Sequence, residues 1–368
     1  MNLDMKQSRL GFGLMRLPRA KDRIDVEQTK RMVDLFLEAG FTYFDTARVY
    51  KGSEIVTKQA LVERHPRESY TLATKLNASA AANEQEAKQQ FFTSLERTGA
   101  GYFDYYLLHA LMQNNYTKYD EYHLWDFVRE QKEKGLIRHI GFSFHAGPEL
   151  LDQILNAHPE AEFVQLQINY SDWENPAVSS RANYEVARRH GKPVVIMEPV
   201  KGGTLANPPE EVRQLLRGSA PEASSASWAI RFAASLPGVL AVLSGMSNVA
   251  QMQDNLSFMR DFHPLDEDEQ KVIQQAQRLL GASATVPCTA CRYCTEGCPK
   301  KIPIPDIFTA LNQRLGNGQA EEAEKAYSSA VRGVGRASDC IACRRCEKAC
   351  PQHIQITEEL KRAACLLE

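Results

Sequence analysis

Eight of the nine cysteines in this 368-residue chain follow one spacing pattern that occurs twice, and none precedes residue 288. In each copy three cysteines are spaced three positions apart and a fourth directly precedes a proline: Cys288, Cys291, Cys294 and Cys298, then Cys340, Cys343, Cys346 and Cys350. This is the spacing of [4Fe-4S] ligands, in which three thiolates bind one cluster and the fourth binds its neighbour. The sequence therefore predicts two clusters with crossed ligation, so that Cys350 completes the first cluster and Cys298 the second.

Two other uses of these cysteines fit the pattern less well. Disulfide frameworks are typical of short secreted chains, whereas this chain is long and most of it has no cysteine. Zinc ribbons separate their CxxC pairs by a longer spacer than the one within either copy. We therefore favour iron-sulfur clusters over zinc, and we interpret the remaining Cys365 as a free thiol outside both sites.

Charge and hydropathy argue against two classes of partner. With 44 basic and 46 acidic residues, the chain carries a formal net charge of -2, which does not favour binding to nucleic acid or to an anionic membrane surface. No apolar run reaches the roughly 18 residues of a membrane-spanning helix, and charges interrupt residues 1–19, where a signal peptide would have its apolar core. We expect a cytoplasmic protein, because a reducing compartment preserves thiolate ligands.

Strand-like and helical patterns alternate from residue 1 to about 262, as they do in parallel βαβ units. Eight strands are predicted, at residues 9–15, 41–46, 70–76, 102–109, 137–144, 163–170, 194–200 and 239–246. Apolar residues at helical spacing predict helices between them, at 26–38, 84–98, 119–134, 148–155, 179–190, 224–235 and 249–260. The pattern predicts an α/β fold, with a (β/α)8 TIM barrel over 1–262, a helical connector at 263–286 and a cluster domain at 287–368.

Titratable side chains occur at the predicted carboxyl ends of three adjacent strands, on the face where TIM barrels carry their chemistry. Asp45 and Tyr50 follow the second strand, Lys75 ends the third and His109 ends the fourth. Each alone has an ordinary structural explanation, such as a helix cap or a core histidine. Together they predict proton chemistry, because an ammonium group such as that of Lys75 stabilises a nearby phenolate. Asp45 would orient the lysine, and His109 would bind a substrate oxygen or relay a proton to Tyr50.

These segments resemble the aldo/keto reductase family. FDTARVY carries Asp45 and Tyr50, LATKL carries Lys75, and YYLLHAL carries His109, in the order of that family's catalytic tetrad. The likeness runs from about Arg9 to Asn255, and with the tail from Pro287 to Ile356 the whole chain is similar to the subgroup that has a C-terminal two-cluster ferredoxin-type domain. The resemblance implies hydride transfer between NADP or NAD and a small carbonyl or alcohol, with Tyr50 as the proton donor.

The same resemblance implies a set of cofactor-binding residues. Ser143 and Gln165 would bind the nicotinamide carboxamide. The segments IMEPVKGG and LSGMSNVAQMQDN are similar to those around the pyrophosphate and the adenosine phosphate, which implicates Pro199, Lys201, Gly202, Gly245, Ser247, Gln251, Asp254 and Asn255. The chain departs from the family pattern at Phe144, where many members have an asparagine, and at Met197, where an aromatic is common. Gly245 and Gln251 stand where many members have a basic pair for the 2′-phosphate of NADP, so the preference for NADP over NAD rests only on the family default.

The tail adds a redox component. Its cysteine runs are separated by helical patterns at 304–315 and 321–331, a longer spacer than in small bacterial ferredoxins, and it resembles the α-helical ferredoxin type. Because hydride carries two electrons and each cluster exchanges one, we expect a redox partner protein or a flavin mediator. The main hypothesis is an oxidoreductase with electron-transferring clusters. The alternatives are an electron-transfer module with a degenerate barrel, and an ordinary reductase with structural or redox-sensing clusters.

Overall fold

A computed structural model of the protein describes residues 9–281, 285–317 and 320–368. Residues 1–8 of the predicted barrel and 282–284 of the predicted connector lie outside the described residues. The chain forms two compact units: the first comprises Met1–Glu174, Ser179–Pro199 and Ala226–Asp268, and the second comprises Asn175–Val178, Val200–Ser225 and Glu269–Glu368. Two short segments from the barrel half of the sequence thus group with the tail, which the predicted boundaries did not anticipate.

The first unit contains a closed barrel of eight parallel strands, which confirms the predicted fold. The strands are Leu10–Gly13, Tyr43–Asp45, Thr71–Leu76, Phe103–Leu111, Ile137–Phe144, Phe163–Gln167, Val194–Met197 and Val239–Ser244. Each strand pairs with the next in the chain, and the last pairs with the first through Leu10 and Val242. All eight overlap the predicted strands. The sixth and seventh end three residues earlier than predicted, because the apolar residues that follow them are buried in loops rather than paired in the sheet.

Large and small side chains fill the barrel interior in alternation. Its core includes two tyrosines and a phenylalanine beside alanines and branched aliphatic residues: Tyr43, Ala73, Tyr105, Leu107, Phe163, Val195, Leu240, Ala241 and Leu243. One glycine makes this packing feasible, because a Cβ atom at Gly141 would lie 2.6 Å from the ring of Phe163. Tight interiors of this kind tolerate little added volume.

Helices connect the strands and cover the barrel: Val26–Glu38, Ser53–Thr57 with a π-helical continuation at Lys58–Val62, Glu84–Thr98, Thr117–Glu121, Leu124–Glu133, Pro148–Ala157, Ser180–Arg189, Ser225–Ser235 and Val249–Met259. Side-chain caps begin several of them, since Asp25 accepts from the amide of Gln28 at 3.0 Å and Asn83 from that of Glu86 at 2.9 Å. The predicted helix at 119–134 is two helices, because His123 adopts a left-handed backbone with φ +48° between them. A hairpin of Arg19–Ala20 and Arg23–Ile24 was not predicted.

The chain beyond the barrel is helical, as predicted for a ferredoxin-like tail. Helices occur there at Glu267–Gly281, Tyr293–Glu296, Ile304–Asn317, Ala320–Ala330, Arg345–Lys348 and Ile356–Leu367, and a further helix, Glu210–Ser219, lies between the last two barrel strands in sequence. Apolar residues of the longer helices share one core with three of the ligand-type cysteines, among them Ile307, Phe308, Leu311, Tyr327 and Leu360. Short 3-10 turns complete the fold at Leu14–Arg16, Arg67–Ser69, Ala78–Ala80, Lys201–Ala206 and Ala337–Asp339. Within the described ranges, none of these helices has the length and apolar content needed to cross a membrane.

Candidate active site and cluster sites

A buried ion pair lies at the carboxyl ends of the second and third barrel strands. The Lys75 side chain is 1% exposed, and its Nζ donates to Asp45 Oδ1 at 2.6 Å and to the carbonyl oxygen of Thr46 at 2.8 Å. Burial raises the pKa of Asp45 and lowers the pKa of Lys75, and the charge of each partner opposes the shift of the other. The pair is therefore strongly coupled, and neither charge is stable in this site without its partner.

A second carboxylate, which the sequence analysis missed, acts on the same lysine. Glu54 is 2% exposed, accepts a hydrogen bond from Thr74 Oγ1 at 2.9 Å and faces Arg97 at 3.7 Å. Its charge raises the pKa of Lys75 and so favours the ammonium form. The only signal in the sequence was its position in the first turn of the helix that follows Tyr50.

Tyr50 and His109 complete the predicted group of four. Their rings meet edge to face with centroids 5.9 Å apart, and Lys75 Nζ lies 5.2 Å from the centroid of the Tyr50 ring. Burial, and then the charges of Lys75 and His145, hold the pKa of His109 well below its usual value of 6.5. The imidazole is accordingly neutral near pH 7. The structure thus brings the four predicted residues together, with Lys75 in contact with Asp45 and near the Tyr50 ring.

The two residues predicted to contact the carboxamide are neighbours on adjacent strands. Ser143 and Gln165 pair in register and are both buried. Ser143 Oγ accepts from the amide of Ala110 at 2.7 Å, which leaves its hydroxyl hydrogen available to donate. Gln165 Nε2 lies 3.5 Å from Asp45 Oδ2. These neutral hydrogen-bonding groups beside Asp45 suit a polar, uncharged ligand group such as an amide.

The backbone at Ala110 is strained in a way that the sequence did not predict. This residue has φ +59° and lies in an irregularity of the fourth strand between Leu108 and Leu111. Asn115 stabilises the conformation, because its Nδ2 donates to the Ala110 carbonyl oxygen at 2.9 Å. Left-handed backbone at a residue other than glycine is costly and concentrates at functional sites. Here it directs the Ala110 amide toward Ser143.

The residues predicted to hold the adenosine phosphate lie in and after the turn that follows the last strand. Gln251 Oε1 accepts from the Ser247 amide at 2.7 Å, and Asn255 Oδ1 accepts from Ser244 Oγ at 2.6 Å. Gly245 allows close approach of another side chain, since a Cβ atom there would lie 3.2 Å from Cδ of Arg16. Asp254 contacts Asn255 at 3.4 Å.

Arg16 is a cation that the sequence analysis missed in this region. Besides its contact with Gly245, its carbonyl oxygen accepts from Ser247 Oγ at 2.8 Å, and its guanidinium group lies 3.1 Å from Glu198 Oε1. Glu198 precedes the predicted cofactor residue Pro199 and has a left-handed backbone with φ +57°. No motif pointed to Arg16, because it follows the first strand and reaches this segment only through closure of the barrel.

Lys201 and Gly202, predicted to lie near the pyrophosphate, belong to the second unit. Gly202 has φ +65°, and a Cβ atom there would lie 2.4 Å from the carbonyl oxygen of Thr289. Thr289 directly follows Cys288 and is 2% exposed. The second glycine of this loop, Gly203, has φ +103° and open space around its Cα. The loop at Lys201–Ala206 therefore packs against the first cysteine run through one glycine and not through the other.

The eight cysteines line two cavities. The first three cysteines of each run line one cavity, and the fourth cysteine of that run lines the other. The first cavity is bordered by Cys288, Cys291, Cys294 and Cys350. The second is bordered by Cys340, Cys343, Cys346 and Cys298. These are the two sets of four that crossed ligation requires.

Burial affects the protonation of these thiols. It raises the pKa of Cys294 and Cys350, and it raises the pKa of Cys346 to about 11. The protein alone therefore disfavours the thiolate form in these cavities. A bound metal cation would favour the thiolates that ligate it, because coordination to a cation deprotonates a thiol.

Comparison with known proteins matches the two parts of the chain to two families. The family model described as aldo/keto reductase family matches residues 9–278, and the one described as 4Fe-4S dicluster domain matches residues 287–355. An aldo-keto reductase of Mycolicibacterium vanbaalenii is 30% identical over 222 residues, which are 60% of this chain and 74% of that protein. Methylglyoxal reductase DkgA of Yersinia pestis is 34% identical over 123 residues, 33% of this chain and 42% of that protein.

Three further comparisons bear on coverage and fold. Aldo-keto reductase AKR2E4 of Bombyx mori is 26% identical over 173 residues, so the chain spans only about half of that protein, 54% of its length. The holo form of aldo-keto reductase AKR11C1 from Bacillus halodurans has a TM-score of 0.58 at 25% identity, and the match covers 73% of this chain and 91% of that chain. An aldo-keto reductase from Klebsiella pneumoniae in complex with NADPH has a TM-score of 0.59 at 19% identity, and the match covers 74% of this chain and 90% of that chain. At 19% identity this likeness shows the fold alone.

Proposed function

This chain belongs to the aldo/keto reductase family, and from that premise we propose that it is an NADP- or NAD-dependent oxidoreductase that interconverts a small carbonyl compound and its alcohol. The observation that carries the proposal is the buried pair of Lys75 and Asp45 beneath the ring of Tyr50. A methylglyoxal reductase is among the relatives, which makes small aldehydes and dicarbonyls the first substrates to test. A reducing, cytoplasmic setting would suit the thiolates of the tail.

The proposed proton chemistry follows from the charges of the site. The ammonium group of Lys75 stabilises negative charge on Tyr50 Oη, so the phenol can give a proton to an oxygen that gains electrons. Asp45 keeps Lys75 charged in a buried position. His109 is neutral, so it can donate one hydrogen bond to the substrate oxygen without adding a second positive charge. A group that bonds the same oxygen as Tyr50 also orients the substrate.

The cofactor would be held by groups from several strand ends. Ser143 and Gln165 offer a donor and an acceptor to the carboxamide. Pro199, Lys201 and Gly202 would contact the pyrophosphate, and the adenosine phosphate would lie against Gly245, Ser247, Gln251 and Asn255. When bound, the reduced nicotinamide supplies a hydride to the carbonyl carbon. Arg16 adds a cation beside Gly245, in a segment that lacks the basic pair common in the family.

We further propose that the tail holds two [4Fe-4S] clusters that exchange single electrons with a partner. The support is the division of eight cysteines into two cavities, each lined by four. The first set is Cys288, Cys291, Cys294 and Cys350, and the second is Cys340, Cys343, Cys346 and Cys298. A redox partner protein or a flavin mediator is required, because the nicotinamide transfers its two electrons together.

Replacing Tyr50 tests the enzyme proposal. With methylglyoxal and NADPH under anaerobic conditions, we expect Tyr50→Phe to lower kcat by about 100-fold or more, the usual share of a positioned general acid. Tyr102→Phe is the matched control, since this tyrosine precedes the fourth strand and its ring lies under Arg67 and Arg138. Nicotinamide oxidation followed at 340 nm gives the rates. Equal activity of wild type and Tyr50→Phe would contradict the assignment of the proton donor.

The buried ion pair also bears on the alternative that the barrel is degenerate and the chain is only an electron-transfer module. A barrel serving only as a docking body has no need of a lysine that is 1% exposed and paired with a buried carboxylate, because such a pair contributes little to stability on balance. This favours an active enzyme over a degenerate barrel.

A further inference from the structure

The two cluster cavities differ in their exposure to solvent. Cys343 of the second set is exposed, whereas no cysteine of the first set is. Ile341, which lies between two cysteines of the second set, is 58% exposed, and nearby in sequence Val334 is 44% exposed. The second site is therefore the more accessible one.

The two cavities also differ in charge. Three cations line the second cavity, Lys300, Arg344 and Arg345, and we call them the basic rim. Among the described residues, no carboxylate lines that cavity. The first cavity has one cation in its lining, Arg292, and Asp306 neutralises it through contacts of 3.0 and 2.5 Å.

Two acidic residues lie near the basic rim. Glu347 Oε2 forms an ion pair of 3.8 Å with Arg344, and its other oxygen accepts hydrogen bonds from the amide and hydroxyl groups of Thr357 at 2.9 and 2.7 Å. Asp339 accepts from the Arg336 amide at 2.8 Å. Because the three rim cations outnumber the Glu347 carboxylate beside Arg344, the rim remains a local positive surface on a chain whose formal net charge is -2.

From these observations we propose that the basic rim around the second cluster is the docking surface for an acidic, one-electron carrier protein. The inference rests on the proposed function, because it needs clusters in the cavities. In the step itself one electron moves between the second cluster and the carrier, so one is oxidised and the other reduced by a single equivalent. Charge complementarity would steer the carrier to this face, and Ile341 would supply apolar contact.

A different use of the same cations is to offset the negative charge of the cluster and its thiolates. Both uses place arginine and lysine near iron and sulfur, but they predict different measurements. Charge compensation changes the reduction potential of the second cluster. Docking changes the affinity for a carrier and makes that affinity fall as salt rises.

The test uses the full chain with both clusters reconstituted and verified by iron and sulfide content and by EPR. Lys300→Glu combined with Arg345→Glu reverses two rim charges, one from each cysteine run. The control, Lys325→Glu with Lys361→Glu, makes the same change of net charge at side chains that are 78% and 66% exposed and line neither cavity. The probes are an acidic plant-type [2Fe-2S] ferredoxin and the basic protein cytochrome c. Binding is measured by calorimetry at two salt concentrations, and electron transfer by stopped flow after reduction with dithionite.

We expect the wild type to bind the ferredoxin more tightly than cytochrome c. The rim variant should weaken ferredoxin binding about ten-fold, whereas the control should change it less than two-fold. Four results would each overturn the proposal. Ferredoxin binding could weaken equally in the rim variant and the control, the wild type could bind cytochrome c more tightly than ferredoxin, or the wild type could fail to bind ferredoxin. The fourth is a shifted reduction potential of the second cluster in the rim variant with unchanged affinity for ferredoxin. Failure to assemble clusters in the wild type would instead contradict the proposed function, and NADPH-dependent carbonyl reduction, measured in parallel, tests the barrel separately.

Discussion

At the scale of single residues, the proposed chemistry of the barrel depends on one buried lysine. Lys75 is influenced by the carboxylate of Asp45 at 2.6 Å, the charge of Glu54 and the ring of Tyr50. Burial lowers the pKa of Lys75, and the two carboxylates oppose that shift. In the proposed mechanism a lysine suits this position better than a neutral donor, because a charged group stabilises a phenolate strongly.

Replacing Lys75 should reveal how strongly an unpaired, buried Asp45 destabilises the folded barrel. We expect Lys75→Met to lower the stability of the folded barrel by about 3–5 kcal/mol at pH 8, because Asp45 would be left as an unpaired buried charge. The loss should shrink toward pH 5. Burial raises the folded pKa of Asp45 above its unfolded value, so the unpaired carboxylate destabilises the fold above the unfolded pKa, and protonation relieves this as the pH falls.

Denaturant unfolding followed by near-UV circular dichroism at both pH values measures this effect. Asp45→Asn with Lys75→Met is the control, because it removes both charges and should be less destabilised than the single variant. A single variant as stable as the wild type at pH 8 would contradict the coupling inferred from the 2.6 Å contact.

At the scale of elements, the loop Lys201–Ala206 is the clearest case of a segment whose conformation depends on distant sequence. Gly202 contacts the backbone of Thr289 so closely that a Cβ atom would lie 2.4 Å from its carbonyl oxygen. The same loop was predicted to lie near the cofactor pyrophosphate. Its geometry is thereby tied to the first cysteine run, which begins one residue before Thr289.

The two adjacent glycines allow this contact to be tested against a control position where alanine is also strained. Both have positive φ, so alanine is strained at either position, but only Gly202→Ala introduces a clash. We expect Gly202→Ala to destabilise the second unit by about 1–3 kcal/mol more than Gly203→Ala. It should also speed the loss of iron from the first cluster to a chelator under anaerobic conditions. Equal behaviour of the two variants in both assays would show that the Thr289 contact does not matter.

At the scale of the whole molecule, we propose a site for hydride chemistry and two sites for one-electron chemistry in one chain. Hydride carries two electrons at once, whereas each cluster exchanges one. We therefore expect NADPH alone to leave the clusters oxidised, with no reduced-cluster EPR signal within several turnover times. Dithionite should reduce them in the same sample, and NADPH with added flavin should do so as well.

Low-temperature EPR and visible absorbance during anaerobic titration measure this directly, and NADH serves as the parallel titrant. Reduced-cluster signals after NADPH alone would contradict the expectation and would require a direct path from nicotinamide to iron. Spin quantitation after dithionite also tests the number of clusters, since two independent [4Fe-4S] centres are proposed.

Much of the fold was readable from local patterns. The eight strands and the helices Val26–Glu38 and Glu84–Thr98 follow from the spacing of apolar residues, which reports which side of an element is buried. The prediction of one helix over 119–134 was wrong, because the left-handed backbone at His123 has no signature in the residue types around it. The loops after Gln167 and Met197 were predicted as strand for a different reason: apolar content indicates burial and does not indicate strand pairing.

The sequence by itself identified the two cysteine sets of the tail, which we propose as cluster ligands, and the four titratable residues of the barrel face. Both sets of residues are marked by spacing patterns along the chain. Only the tertiary structure placed Glu54 beside Lys75, Arg16 beside Gly245 and Thr289 against Gly202. It alone placed the basic rim around the second cavity. These contacts join residues that are remote in sequence or whose type is unremarkable, so their proximity depends on barrel closure and helix packing, which no local pattern encodes.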